Sequence, residues 1–291
     1  MSEFVTRFAP SPTGYLHKGH AFSALSAFDA ARAADGRFLL RIEDIDTTRC
    51  KPEFEQAIHG DLAWLGLKWE APVRRQSEHF PEYHAAIDQL AARGLVYRCF
   101  KTRKEILEDI ARAPHHPGEG PDGAIYPRPA EPMSADEETE RLDAGEAFAW
   151  RLSLRAVEAE LGDLSRLTFI EEGHGPNGET GEIAIRADLI GDVIIGRKDV
   201  GTSYHLAVTM DDALQGISHV IRGEDLFFAT SVHRILQSLL GLPVPVYRHH
   251  ALLTGPDGKR LAKRDRSLTL KSIRDSGISA RELRLQLGFN W

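Results

Sequence analysis

The segment that most constrains how this chain can fold is its opening. Val5–Phe8 reads as a short extended run, closed by Ala9-Pro10-Ser11-Pro12-Thr13-Gly14, whose two prolines and glycine disfavour regular structure. Ala21, Leu25, Phe28 and Ala31 then keep helical spacing until Asp35-Gly36 stops them, and Phe38–Ile42 reads as a buried strand. Strand, helix and strand in this order make a β-α-β unit, which commits the chain to an α/β class built on a parallel sheet. The loop-to-helix junction, Pro12-Thr13-Gly14-Tyr15-Leu16-His17-Lys18-Gly19-His20, sets two histidines at i and i+3 with a glycine between them. Orphan N–H groups and the helix dipole favour an anion there. Gly19 permits close approach, and the imidazoles of His17 and His20 can donate to phosphate oxygens, which suits a triphosphate. The plain alternative is a helix start with two solvated histidines.

Further on, Lys51–Leu65 carries Phe54, Ile58, Leu62 and Leu65 on one helical face. Pro81–Arg93 reads as a helix ended by Gly94, and Thr102–Arg112 as another. Regularity then falters. Pro114–Pro132 is rich in proline, Glu171–Gly181 in glycine and polar residues, and between them Ala147–Leu154 alternates like a strand. Residues 76–184 therefore read as an insertion with its own small sheet and long surface loops. Alternation of strand and helix resumes over Asp192–Gly196, Tyr204–Met210, Ser218–Ile221, Thr230–Leu240 and Val244–His250, and these are expected to join the first unit in one parallel sheet. The expected division is a catalytic domain over 1–75 and 185–250, an insertion over 76–184, and a basic loop with a helical tail, including Ala280–Leu287, over 251–291.

A net charge of −7 argues only weakly against a nucleic-acid partner, because distribution matters more than the sum. Arg248–Arg274 holds eight Lys and Arg against Asp257 and Asp265, whereas Glu131–Glu146 holds seven acids against Arg141. No apolar stretch approaches the ~20 residues of a membrane span. Met1-Ser2-Glu3-Phe4 has no secretory pattern, and Cys50 and Cys99 make no disulfide framework, so a cytoplasmic location without membrane contact is expected. Within the basic segment, Gly255-Pro256-Asp257-Gly258-Lys259-Arg260-Leu261-Ala262-Lys263-Arg264 is a turn followed by packed cations, able to swing a lysine onto a phosphoryl group.

Taken together these motifs resemble the class I glutamyl-tRNA synthetases. Arg7–His20 is similar to their N-terminal signature, with His17-Lys18-Gly19-His20 as the HIGH motif. Leu39–Asp46, Tyr204–Val208 and Ile221-Arg222-Gly223-Glu224-Asp225-Leu226 resemble the segments that follow, and Arg260-Leu261-Ala262-Lys263-Arg264 resembles KMSKS in its KLSKR variant. The departures are Lys18, Arg260 for the first lysine and Ala262 for the serine. The resemblance implies a Rossmann-type catalytic domain that activates L-glutamate with ATP and Mg²⁺. It points to Arg7 and Arg222 as forked donors for carboxylates, Glu43 for the α-ammonium, and Ser11 and Tyr204 to complete the pocket. His17, Gly19, His20, Arg260 and Lys263 would bind ATP, with His17, His20 and Lys263 stabilising charge on the phosphates. Asp44 and Asp46, tempting as metal ligands, are expected to cap the next turn.

A full-length synthetase continues into a helical domain that reads the anticodon, and this chain stops at Trp291. The expectation is therefore a truncated branch of the family, without an anticodon-binding domain, that transfers glutamate to the queuosine base in the anticodon stem-loop of tRNA(Asp). The alternative is a short synthetase charging the 3′ end of tRNA(Glu). A monomer is expected. Many family members hold zinc with a Cys-x-Cys pair followed by Tyr-x-x-x-Cys. The matching stretches here are Tyr97-Arg98-Cys99-Phe100-Lys101 and Tyr126-Pro127-Arg128-Pro129-Ala130, and His115-His116 is a poor substitute, so no structural zinc is expected.

Overall fold

The computed structural model describes residues 3–112, 119–120, 123–126, 133–253 and 269–291. It opens with β1 (Val5–Phe8), α1 (Lys18–Ala33) and β2 (Arg37–Ile42), and β1 and β2 run parallel with Val5 opposite Arg37 and Phe8 opposite Leu40. The turn into β2 requires Gly36, because a Cβ there would lie 2.3 Å from the Phe4 carbonyl oxygen. After α2 (Pro52–Trp64), which starts on a proline where no donor is lost, β3 (Arg74–Arg75) adds in parallel to β2.

Next come α3 (Phe80–Ala92), β4 (Val96–Cys99), α4 (Arg103–Arg112), the short pair β5 (Glu119–Gly120) and β6 (Gly123–Ala124), α5 (Ala135–Asp143), β7 (Ala149–Leu152) and α6 (Leu154–Leu161). β4 and β7 pair antiparallel, from Val96 opposite Leu152 to Cys99 opposite Ala149. The second half of the chain carries β8 (Thr168–Glu171), β9 (Gly181–Ala184), β10 (Ile194–Gly196), α7 (Tyr204–Leu214), β11 (His219–Gly223), α8 (Ala229–Leu240), β12 (Val246–His250), α9 (Leu270–Asp275) and α10 (Ala280–Gln286).

The sheets depart from the expected grouping in two places. β10, expected in the parallel sheet, instead pairs antiparallel with β7, because Asp192 just before it is tied to the other side. Its carboxylate accepts from Tyr97 Oη at 3.0 Å and from Leu154 N at 3.0 Å, and its carbonyl accepts from Arg151 Nη1 at 2.5 Å. β8 and β9, expected in the insertion, extend the β11-β12 sheet, with β8 parallel to β12 and β9 antiparallel on its far side. Buried Glu171 at the end of β8 accepts from the backbone N–H of His249, which fixes that edge.

β1 stands between β2 and β11. Ser218, at the head of β11, donates its N–H to the Val5 carbonyl at 2.9 Å and accepts from Val5 N–H through Oγ at 2.8 Å. The strands following β1 in sequence lie on one side of it and β11 on the other. This reversal is where doubly wound sheets open a crevice beyond the carboxyl ends of their strands. One apolar cluster packs α3, β4, β7, α6, α7 and α8 together, and another packs α1, β2, α2, α9 and α10. Among the described residues no helix is long and apolar enough to cross a membrane.

Candidate active site

At the carboxyl ends of the central strands lies a row of buried ions. Arg7 on β1 donates to both oxygens of Asp212 on α7, at 2.9 and 3.2 Å. Arg41 on β2, fully buried, donates through Nη1 to Asp212 at 2.8 Å and to Gln215 at 3.0 Å, and through Nη2 to Glu43 at 3.1 Å. Beside it, Asp211 accepts from Arg74, Gln76 and Tyr83. Burial pushes the carboxyl groups of Asp212 and Glu43 up, while the two arginines pull them down. For Asp212 the arginines win and its pKa falls below the ordinary range. Glu43, holding one longer bond from a shared guanidinium, stays above the ordinary range.

Arg222, on β11, is arranged differently. Its Nε donates to His249 Nε2 at 3.0 Å, its Nη1 to His233 Nδ1 at 3.3 Å, and its Nη2 to the Leu226 carbonyl at 3.0 Å and Thr230 Oγ1 at 2.7 Å. All four partners are neutral groups, and among the described residues Arg222 has no carboxylate partner. A guanidinium carries five N–H groups, so one on Nη1 is left over. The free fork expected from the sequence is therefore absent at Arg222, and Arg7 is held by Asp212 along one edge, through Nε and Nη2. Arg7 and Arg41 pair with Asp212 and Glu43, and buried Asp211 lies 3.8 Å from Arg41 Nε, whereas Arg222 is held by neutral groups alone. Burying a guanidinium without a carboxylate partner is costly, and a ligand carboxylate brought to Arg222 removes that cost.

Tyr204 starts α7 under the Ser203 cap, and its ring packs edge-on against His205 and His233. Burial raises its phenol pKa, so it is a neutral hydrogen-bonding group. Ser11, Glu43, Tyr204 and His205 are among the residues lining a cavity of about 920 Å³, whereas Arg7 and Arg222, 4% and 5% exposed, are not part of its lining, although both act on the Tyr204 phenol.

His17 is the N-cap of α1. Its Nδ1 accepts from Gly19 N–H at 3.1 Å, and His20 Nδ1 accepts from His17 N–H at 3.2 Å, a capping box made of two imidazoles stacked at 3.8 Å. Two backbone donors at this helix start, Gly19 N–H and His17 N–H, are thus engaged internally. The capping bonds also set the tautomer, because an Nδ1 that accepts carries no proton, and each neutral ring holds its N–H at Nε2. Gly19 serves this geometry, since a Cβ there would stand 3.0 Å from the His17 ring. Arg260, Ala262 and Lys263, like His115 and His116, lie outside the described residues.

The same cavity is also lined by Lys101, Leu107, Tyr126, Arg151 and Lys198. Arg151 is buried and its guanidinium stacks on the Tyr126 ring at 4.0 Å. Cys99 at the end of β4 is buried in the same wall. Among the described residues no group of three or more His, Cys, Asp or Glu side chains surrounds it, and a closed zinc site needs about four ligands. Asp46 caps its own turn, accepting from Thr48 Oγ1 at 2.7 Å and Arg49 Nε at 2.7 Å, as the sequence suggests, while Asp44 holds the backbone and hydroxyl of Ser77.

Sequence reasoning missed Arg41, Asp212, His233, His249 and Glu171. For Arg41 a signal existed, a charge inside an otherwise apolar strand. For Asp212 it was an acidic pair on a helix whose remaining residues are mostly apolar. The imidazoles gave none, because a buried histidine that accepts from an arginine looks, in sequence, like any other histidine.

Comparison with known proteins adds to this geometry. A family model described as the catalytic domain of class I tRNA synthetases (E and Q) matches residues 3–286. The chain is 48% identical over 291 residues to a protein named glutamyl-Q tRNA(Asp) synthetase from Rhodobacter capsulatus, covering 98% of this chain and 99% of that one. A protein of the same name from Nocardia farcinica is 40% identical over 277 residues, 95% of this chain and 81% of that one. A glutamate–tRNA ligase 2 from Dinoroseobacter shibae is 38% identical, over 94% of this chain and 58% of that one. Among solved structures, a glutamate tRNA ligase from Elizabethkingia meningosepticum in complex with its amino acid superposes with a TM-score of 0.72 at 27% identity, covering 91% of this chain and 52% of the other. The chain thus spans about half the length of that solved structure and nearly all of the Rhodobacter relative.

Proposed function

Because the chain belongs to the class I tRNA synthetases of the glutamate and glutamine type, we propose that it activates L-glutamate with ATP and passes it to the queuosine base in the anticodon loop of tRNA(Asp). The observation that supports the first half is Arg222, a buried guanidinium oriented by neutral groups and paired, among the described residues, with no carboxylate. Glutamate brings two carboxylates and one ammonium, a net charge of minus one. Arg7 and the remaining Arg222 N–H take the carboxylates, Glu43 takes the ammonium, and Tyr204 and Ser11 close the pocket. Glutamine replaces one carboxylate with an amide, leaves a guanidinium without its counter-charge and is rejected.

The chemistry is an in-line attack by the substrate α-carboxylate on the α-phosphorus of ATP, with pyrophosphate leaving and Mg²⁺ arriving on the nucleotide. His17 and His20 donate through Nε2 to phosphate oxygens whose charge grows in the transition state, and Gly19 keeps the His17 ring in place for this. Lys263 and Arg260 neutralise the departing pyrophosphate. An acceptor hydroxyl then attacks the glutamyl carbonyl and releases AMP. The second half of the reading is supported by the 48% identity along nearly the whole Rhodobacter relative.

The test is glutamate-dependent pyrophosphate exchange, followed by transfer of labelled glutamate to tRNA(Asp) with and without queuosine, beside tRNA(Glu). Exchange with glutamate but not glutamine, and label only on queuosine-bearing tRNA(Asp), is the expected result. Label on the terminal adenosine of tRNA(Glu) would replace it with a short glutamyl-tRNA synthetase.

A further inference from the structure

Three neighbouring parallel strands bring Glu171, His249 and Arg222 side by side. Arg222 on β11 stands opposite His249 on β12, and Glu171 closes β8 opposite Tyr247, two residues before that histidine. All three side chains are buried. Glu171 accepts from Gly173 N–H at 2.8 Å and His249 N–H at 2.8 Å through one oxygen, and from His249 Nδ1 at 2.5 Å through the other. These bonds leave the carboxylate no freedom to turn. Since Nδ1 donates to it, His249 Nε2 must be the bare nitrogen, and that is the atom accepting from Arg222 Nε.

We infer that Glu171 and His249 are positioning residues for Arg222: the carboxylate fixes the imidazole tautomer, and the imidazole aims the guanidinium while leaving its charge for the substrate. The inference rests on the reading of Arg222 as a glutamate ligand. Its logic is one of indirect contact. A carboxylate set directly on Arg222 would orient it equally well but would also pair with it and compete with the substrate carboxylate. One neutral imidazole in between transmits the orientation and withholds the ion pair. His233 does the same from the other side, accepting from Nη1 and therefore holding its own proton at Nε2, toward His205 Nδ1 at 3.1 Å. Burial first, then the nearby Arg222 charge, keeps His233 neutral, and His249 is pushed down to about 4 for the same reasons despite Glu171.

Glu171→Gln tests the tautomer. An amide NH₂ facing Nδ1 moves the imidazole proton to Nε2, where it confronts the Arg222 N–H. An amide turned the other way sets its NH₂ against two backbone N–H donors. The first orientation breaks the bond to Arg222, and the second keeps the tautomer but loses the backbone bonds that fix residue 171. His249→Phe removes the relay, and two amides separate its ends, because glutamine carries an acceptor about where Nε2 stands whereas asparagine reaches only the Nδ1 side.

In pyrophosphate exchange we expect Glu171→Gln and His249→Phe to raise the KM for glutamate about tenfold while kcat and the KM for ATP hold, since the lost contact acts equally on ground and transition state. His249→Gln should recover most of the loss and His249→Asn should not. Arg222→Ala, run in parallel, should exceed them all. A wild-type KM in Arg222→Ala overturns the reading of Arg222 itself. A raised KM there, with Glu171→Gln and His249→Phe at wild type, overturns the relay alone. Equal behaviour of the Gln and Asn variants, with losses that follow melting temperature, assigns these residues a merely structural role and also overturns it. Should His249→Phe not fold, the Gln and Asn pair decides.

Discussion

Glu43 and Asp212 share one guanidinium and fare differently, and the difference has a measurable consequence. Arg41 gives Asp212 its shorter bond, 2.8 against 3.1 Å, and Arg7 adds two more to Asp212 alone. Glu43 is left with a pKa raised by burial, so it takes up a proton earlier than an ordinary glutamate as pH falls. Only its ionised form pairs with an α-ammonium. The KM for glutamate should therefore climb on acidification from neutral pH, and Glu43→Gln should bind weakly and lose this dependence. A flat profile in the wild-type protein would refute the assignment. Asp212 has the opposite sign. Its depressed folded pKa contributes stability that is full above the unfolded value and lost as pH falls through the folded one. Removing the shared cation by Arg41→Leu should cost about 3–5 kcal/mol in urea unfolding, because two buried carboxylates are left short of a partner. Arg41 was visible in the sequence as a charge within Phe38–Ile42. Its partner was not, because Asp212 lies 171 residues further along.

The helix α1 carries two duties on the same rings, and they can be separated. His17 caps the helix through Nδ1, and its Nε2 side is the one proposed to serve the nucleotide. Asparagine is among the best N-caps and has no counterpart to Nε2. His17→Asn should keep the melting temperature near wild type and lower the adenylation rate by orders of magnitude, whereas His17→Ala should lose both, with about 1 kcal/mol of stability. Equal activity in the asparagine variant would take His17 out of the chemistry. The ends of this helix, like those of α2, α3 and α10, were legible from proline, glycine and apolar spacing. Sheet membership was not. Three apolar residues of β10 carry no mark of the edge they will join, and what decides it is Asp192 gripping Tyr97 and Leu154.

Across the whole molecule, the tail is part of the catalytic half. Leu283 on α10 is fully buried against the α1 and α2 cluster, Arg284 donates to the Leu65 carbonyl at 2.8 Å, and Arg32 and Arg284 each lie 4.7 Å from the Trp291 ring. Leu283→Ala should lower stability by about 2–5 kcal/mol, read as a drop in melting temperature. RNA contact tests a different property of the whole. Transfer to tRNA should weaken steeply as salt rises while pyrophosphate exchange hardly responds, because phosphate neutralisation enters only the first. Equal salt sensitivity of the two would remove the electrostatic account of docking. The seam between β1 and β11 also matters during synthesis. Val5 meets Ser218, 213 positions further along, only once that stretch has been translated, on the order of ten to forty seconds at ribosomal rates. For that interval the first β-α-β unit leaves the ribosome with a naked strand edge, with Arg7 lacking Asp212 and with Arg41 paired to Glu43 alone. Such an edge invites pairing with other nascent chains, so the yield of this protein should depend on chaperone cover during translation more than its folded stability would suggest.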